Sequence, residues 1–236
     1  MHYLFLDESY PRVESGKDFV FAAWAVEQED FLLSLPRLQE SYVRKEYRSI
    51  NSVDAMLQSV DAWAVVSRSS LDSPIYRTGE VDGTDDVSGM ARCDNIWSVC
   101  ATFTVAKLIT ALMRRDIVLG IVDIYHDPKD LTDTHRQALH KTLRMMIVQK
   151  AKQLDSHLRK QLQQGFQIGR IDSVAKARSG QRPDEFQFGT WIADALCSRF
   201  RDACQTEHLS RIVCCDTSDV VRRTVQQFDG KSFYEN

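Results

Sequence analysis

Apolar and polar residues fall along this chain in blocks rather than singly. Tyr3-Leu-Phe-Leu6 is an unbroken apolar run that stops at Asp7-Glu8, with Pro11 soon after. Such a run predicts a strand buried on both faces. Phe19–Val26 (FVFAAWAV) predicts a second, and the polar residues 10–18 between them, with Gly16, suit a hairpin loop. Further strands are predicted at Ala62–Ser67, Ile117–Tyr125, Phe166–Val174 and Ile212–Cys215.

Helical spacing separates these runs. Asp30 to about Arg48 predicts a helix with Leu32, Leu33, Leu38 and Tyr42 inward and Pro36 disturbing its first turns. Ala91–Arg115 is apolar on much of its surface and reads as a well-buried helix. Thr132–Gln164 is amphipathic, with Leu139, Leu143, Ile147, Ala151, Leu154 and Leu158 three or four apart. Asp133 or Thr134 can cap its start and Gly165 can end it. Asp184 can cap a helix running to about Cys204, and Ser218–Phe228 predicts a last one.

Strands alternating with helices predict one α/β domain over 1–236, a sheet with helices on its faces. The segment 69–89 holds Gly79, Gly83, Gly89 and the acids Asp82, Asp85 and Asp86, and reads as a long surface loop. At 236 residues, 43% apolar and 27% charged, the chain is long enough for a filled core, which excludes a mostly disordered or collagen-like protein. A net charge of -3 excludes a uniformly basic nucleic-acid coat, not a local basic face.

Ser98, Thr102, Thr104 and Lys107 interrupt the longest weakly charged stretch, so no membrane span is expected. Asp7 and Glu8 stand where a signal peptide needs its apolar region, which points to a soluble, cytoplasmic protein. Cys93, Cys100, Cys197, Cys204, Cys214 and Cys215 form no CxxC pair or zinc spacing, and are expected as small buried residues in a reducing compartment.

Four acids carry the candidate chemistry. Asp7 ends the first strand, where ligands of open α/β sheets often bind. Asp123 and Asp127 lie in and just after the fourth strand, sharing a face if it stays regular. Asp194 lies among Ile192, Ala193, Ala195 and Leu196, which predicts a carboxylate packed nearly all round. Such a buried charge needs a partner, and a cation would serve. Clustered carboxylates suit Mg²⁺ or Mn²⁺, which take oxygen ligands. Each acid also has an ordinary alternative: Asp7 or Asp127 in a turn, Asp123 or Asp194 paired with a basic residue.

At these residues the chain resembles a known family. Tyr3-Leu-Phe-Leu-Asp-Glu-Ser9 is similar to the opening motif of the domain-of-unknown-function 3800 family, bacterial and phage proteins thought to share a ribonuclease H-like fold. The resemblance continues at Ile124-Tyr-His-Asp127, at Ile171-Asp-Ser173 and at Ile192-Ala-Asp-Ala-Leu196. It departs at Tyr10, where the family has Gly, and at Trp191, where it has Gln; Gln187 lies one turn further back. Ribonuclease H enzymes also usually carry a Glu on the helix after the third strand, and Ala91–Arg115 offers only Asp94. The resemblance implies a mixed five-stranded sheet flanked by helices, with a C-terminal strand-helix extension. It also implies a metal-dependent nuclease, with Asp7, Asp127 and Asp194 as metal ligands and Glu8 as a fourth candidate. Asp123 is a second-tier candidate beside Glu8.

From His135 to Arg182, Lys and Arg far outnumber the acids Asp155 and Asp172. Lys176, Arg178 and Arg182 lead into the Asp194 helix and are expected to hold a phosphate backbone without sequence preference. No helix-turn-helix, zinc finger or aromatic stacking platform is apparent. His126 and His135 flank the site as candidates for proton transfer. The leading expectation is thus a nuclease for RNA or DNA using Mg²⁺ or Mn²⁺. The alternative is a non-catalytic nucleic-acid- or protein-binding subunit, of the kind found in bacterial defence or toxin–antitoxin systems. A weaker third reading is hydrolysis of a small phosphate ester. A homodimer or a protein partner stays open.

Overall fold

A computed structural model describes residues 1–9, 18–43, 47, 49–70, 87–127, 133–154, 160, 166–175, 181–206, 208–220 and 223. The elements in chain order are β1 (His2–Ser9), β2 (Asp18–Glu27), α1 (Gln28–Val43), α2 (Ile50–Ser59), β3 (Trp63–Ser70) and α3 (Val87–Met113). There follow β4 (Ile121–His126), α4 (Asp133–Leu154), β5 (Gln167–Ser173), α5 (Glu185–Ser198), α6 (Phe200–Gln205) and β6 (Ile212–Asp216). The expected hairpin loop and most of the expected loop at 69–89 lie outside the described residues.

The strands form one six-stranded mixed sheet in the order β5-β4-β1-β2-β3-β6. β2 is antiparallel to both β1 and β3; β4 is parallel to β1, β5 to β4 and β6 to β3. Five strands therefore run one way and end at one edge, with β2 alone reversed. The expected C-terminal extension is a correction to the five-stranded reading: 212–216 is the sixth strand, hydrogen-bonded to β3.

Each central strand is apolar on both faces because both faces carry helices. Leu4, Leu6, Ala23 and Ile124 pack with α3 and with Leu143, Ile147 and Ala151 of α4. Tyr3, Phe5, Trp24 and Tyr125 pack on the opposite face with Phe31, Phe188 and Ile192. Alternation along β1 thus assigns odd positions to the α5 side and even positions to the α3 side.

Several local expectations need correction. Among the described side chains of α1 the buried ones are Phe31 and Leu38, while Leu32 and Leu33 are exposed; that of Tyr42 lies outside the described residues. α2 was not expected; Ser49 caps it, accepting from the Ser52 amide at 3.2 Å. Its buried Asp54 accepts from the main chain of Arg211 at 2.8 Å and of Ser210 at 3.2 Å, tying α2 to the start of β6. β4 begins only at Ile121, with Val118 left exposed. The helix after Asp184 breaks at Arg199 into α5 and α6. No described helix is long and apolar enough to cross a membrane.

Candidate functional site

β1 is central, and its carboxyl end delivers Asp7. Tyr3 and Phe5 face α5, so Asp7 continues that face while Glu8 turns to the α3 side. Asp7 is 5% exposed and its Oδ1 accepts from the Glu8 amide at 2.8 Å. The parallel register ends at Leu6 and His126, so Asp7 and Asp127 are the residues that directly follow the last paired positions of β1 and β4. Asp127 is half-buried. Two carboxylates thus stand on neighbouring strand ends, on the edge where five strands finish.

The third acid arrives on α5. Asp184 caps this helix, accepting from the Gln187 amide at 2.8 Å, and Gln187 Oε1 accepts from the Asp184 amide at 3.1 Å. Gln187 Nε2 also donates to the Ala175 carbonyl at 3.1 Å, pinning the helix start to the residues after β5. Gly189 lets the helix descend onto the sheet: a Cβ there would sit 2.1 Å from the Phe5 ring. About two turns further on, the Cys197 thiol donates to the Asp7 carbonyl at 3.2 Å.

Asp194 lies one turn before Cys197, but it is exposed, which corrects the expectation of a carboxylate packed all round. Its neighbours Ile192, Ala193, Ala195 and Leu196 are buried, as expected. At 3.6 residues per turn, however, Gln187, Trp191, Asp194 and Ser198 share one stripe that is not buried. Trp191, where the resemblance would place Gln, packs against Tyr47 and Phe188.

Asp123 has a different task. It is 3% exposed, and its Oδ1 accepts from the Arg170 amide at 2.8 Å. The Arg170 Nε lies 3.8 Å from Oδ2. The β4–β5 register shifts between Val122 and Ile124, and the carboxylate fills that irregularity. A Cβ at Gly169 would meet Asp123 Oδ1 at 2.1 Å, so only glycine leaves room. Burial, with the Asp123 charge next, pushes the Tyr125 phenol up to about 12.

On the α4 side, His126 is buried and its Nδ1 lies 2.6 Å from the Asp127 carbonyl. A carbonyl only accepts, so Nδ1 carries the proton. In the neutral pair, His126 Nε2 then accepts from Nε2–H of His140, 2.9 Å away. The imidazole of α4 is thereby linked to the main chain that presents Asp127. His135, the other expected proton carrier, has its side chain outside the described residues, as has Asp94.

Of the expected backbone-binding residues, Lys176 and Arg178 lie outside the described residues. Arg182 is exposed and donates to the Pro36 carbonyl of α1 at 3.0 Å. Sequence reasoning missed two adjoining clefts of about 610 and 400 Å³, which share Gln137, His140, Arg170 and Asp172. The larger reaches Phe186 and Gln187; the smaller reaches Lys141 and Arg144. The basic spacing of α4 was a signal for them, but its partner face on β5 is 25 residues away in the chain for Arg144 and Gly169.

Among the described residues, no three His, Cys, Asp or Glu side chains are gathered closely enough to hold a metal ion. The chain matches no protein-family model and no curated protein.

Proposed function

We propose that the protein is a phosphodiester hydrolase, a nuclease for RNA or DNA, that uses Mg²⁺ or Mn²⁺ on a ribonuclease H-like sheet. The observation that carries this reading is the buried Asp7 at the end of the central strand, just past the last pairing with β4 as Asp127 is, and touched through its main chain by the turn of α5 that follows Asp194. The order β3-β2-β1-β4-β5, with β2 alone antiparallel to its neighbours, supports the fold assignment.

The donor chemistry fits a hard divalent ion, because all three groups offer carboxylate oxygen. Asp7, Asp127 and Asp194 would hold it, and when bound it would activate water and stabilise the leaving oxygen of a phosphodiester. Asp7 is positioned by the Glu8 amide and by packing, so it is the fixed member. Asp194 is exposed, so rotation of its side chain costs little packing. Glu8, the fourth candidate, follows Asp7 on β1 and so falls on the opposite face of the sheet. Asp123 sets the β4–β5 pairing through Arg170.

The test is thermal melting with and without Mg²⁺ and Mn²⁺, on wild type, Asp7→Asn and Asp194→Asn. A ion bound only by the folded state raises the melting temperature. A rise in wild type that both variants lose, followed by cleavage of labelled RNA or DNA, is the expected result. No rise in wild type overturns the hydrolase. It would favour the second reading, a non-catalytic nucleic-acid- or protein-binding subunit of a defence or toxin–antitoxin system. That reading draws on the lack of a gathered three-residue metal group among the described residues.

A further inference from the structure

β5 is an edge strand, and α4 lies alongside it. Between them the two clefts run together through Gln137, His140, Arg170 and Asp172. Lys141 and Arg144 stand one turn apart on α4, both exposed, and Arg170 reaches out from β5 with a side chain 73% exposed. Arg144 donates to the Gly169 carbonyl, which fixes its guanidinium against the strand and covers part of the sheet edge. A cationic groove thus ends in the larger cleft, which falls in the range of about 300–1,000 Å³ for small-ligand pockets.

The larger cleft has a different lining. Phe186 is half-buried, and its ring centroid lies 4.4 Å from that of the buried Tyr125. Gln137 adds a side-chain amide from the α4 wall, while the amide of Gln187 on the α5 wall is taken up by the helix cap and the Ala175 carbonyl. Two acids interrupt the positive surface. Asp184 is committed to capping α5, and Asp172 is exposed at the junction of the clefts. A row of cations leading to an aromatic edge and a side-chain amide matches a phosphate backbone followed by an unstacked base.

We propose that the groove between α4 and β5 binds a single strand of nucleic acid. Lys141, Arg144 and Arg170 take successive phosphates, and one base enters the larger cleft against Phe186. The amide of Gln137 and the carboxylate of Asp172 face its polar edge. A duplex keeps its bases stacked inside and offers none to this cleft. The proposal deepens the nuclease reading by naming the form of its substrate.

The test is fluorescence anisotropy with labelled oligothymidylate, oligouridylate and a mixed-sequence duplex. It is run in EDTA, so that the carboxylate site plays no part. Wild type is expected to bind both single strands more tightly than the duplex. Lys141→Ala combined with Arg170→Ala should weaken binding about tenfold and lower the salt slope by about 1.4. Phe186→Leu, which keeps an apolar side chain but removes the flat ring, should weaken it at least about fivefold. Arg37→Ala, on α1, should change nothing, and melting curves confirm that each variant folds. Duplex binding as tight as single-strand binding, equal binding of polyglutamate, or unchanged affinity in the folded double variant overturns the proposal. Binding in EDTA without a metal-dependent melting shift sustains the groove and overturns the hydrolase; the reverse pattern overturns the groove alone.

Discussion

The indole Nε1–H of Trp24 donates to the carbonyl of Gly189 at 2.8 Å, across the interface between β2 and α5. A helical carbonyl can reach a sheet side chain this directly only because residue 189 has no side chain. The Phe5 ring fills the space beneath it, with its centroid 4.9 Å from Trp24 and 5.7 Å from Tyr125. Gly189→Ala would force that ring against neighbours on both sides. It is expected to cost about 1–3 kcal/mol by overpacking, lowering the melting temperature by several degrees. Because α5 also carries Asp194, the same variant should lose any metal-dependent melting shift. Calorimetry with and without Mn²⁺ measures both effects.

Asp123 and Asp194 should respond unequally to the same chemical change. Asp123→Asn keeps an oxygen for the Arg170 amide but turns the buried oxygen that faces Arg170 Nε into an NH₂ donor against a cation, and is expected to destabilise by about 1–3 kcal/mol. Asp194→Asn alters an exposed side chain and should stay within about 0.5 kcal/mol of wild type in metal-free buffer. Urea unfolding of the two variants in EDTA checks the contrast. Equal losses would mean that Asp194 supports the fold rather than a ligand.

His2 predicts an acid-sensitive stability. Burial, then the neighbouring amino-terminal charge, holds its imidazole below the ordinary 6.5, with Glu27 opposing. Its Nδ1 is buried without a hydrogen-bond partner. Above pH 6.5 both folded and unfolded states are neutral there. Below it the unfolded chain takes up the proton first, so stability falls with pH until the folded imidazole also protonates. Melting temperatures from pH 7 down to 5 should decline less steeply in His2→Phe than in wild type. Parallel declines would exclude His2 as a source of the slope.

The cysteines should separate by exposure. Burial pushes the Cys100 thiol up to about 12, and Cys197 is buried beside Asp7. Cys204 is exposed on α6, contrary to the expectation that all six would be buried. A maleimide reagent at pH 7.5 is expected to modify Cys204 well before Cys100 and Cys197, which should react only on unfolding. Peptide mass mapping gives the order of labelling.

The strands were legible because the central ones are short apolar runs, rich in aromatic and β-branched residues and bounded by charged or turn residues, too short for a buried helix. α2 was not, because Ile50, Val53, Met56 and Leu57 are spread over one short helix rich in polar residues. Asp7 could be located at a strand end from its neighbours alone. The exposure of Asp194 could not, because four buried neighbours do not disclose which narrow sector of a helix is left open. Nor could the partners of Asp123 and Arg182 be read locally: they lie 47 and 146 residues away and are set by sheet register and helix packing.

The sheet order has a consequence for how the chain acquires its shape. β1, β2 and β3 pair as sequential antiparallel neighbours, so they can associate early and locally. The outer side of β3 has to wait, because its partner β6 is supplied only at 212–216. During synthesis the open side of Ala64–Arg68 is therefore an unsatisfied row of peptide groups next to a valine-rich face, the kind of surface that recruits stray strands or chaperones. A five-residue strand near the end of the chain is what closes that window.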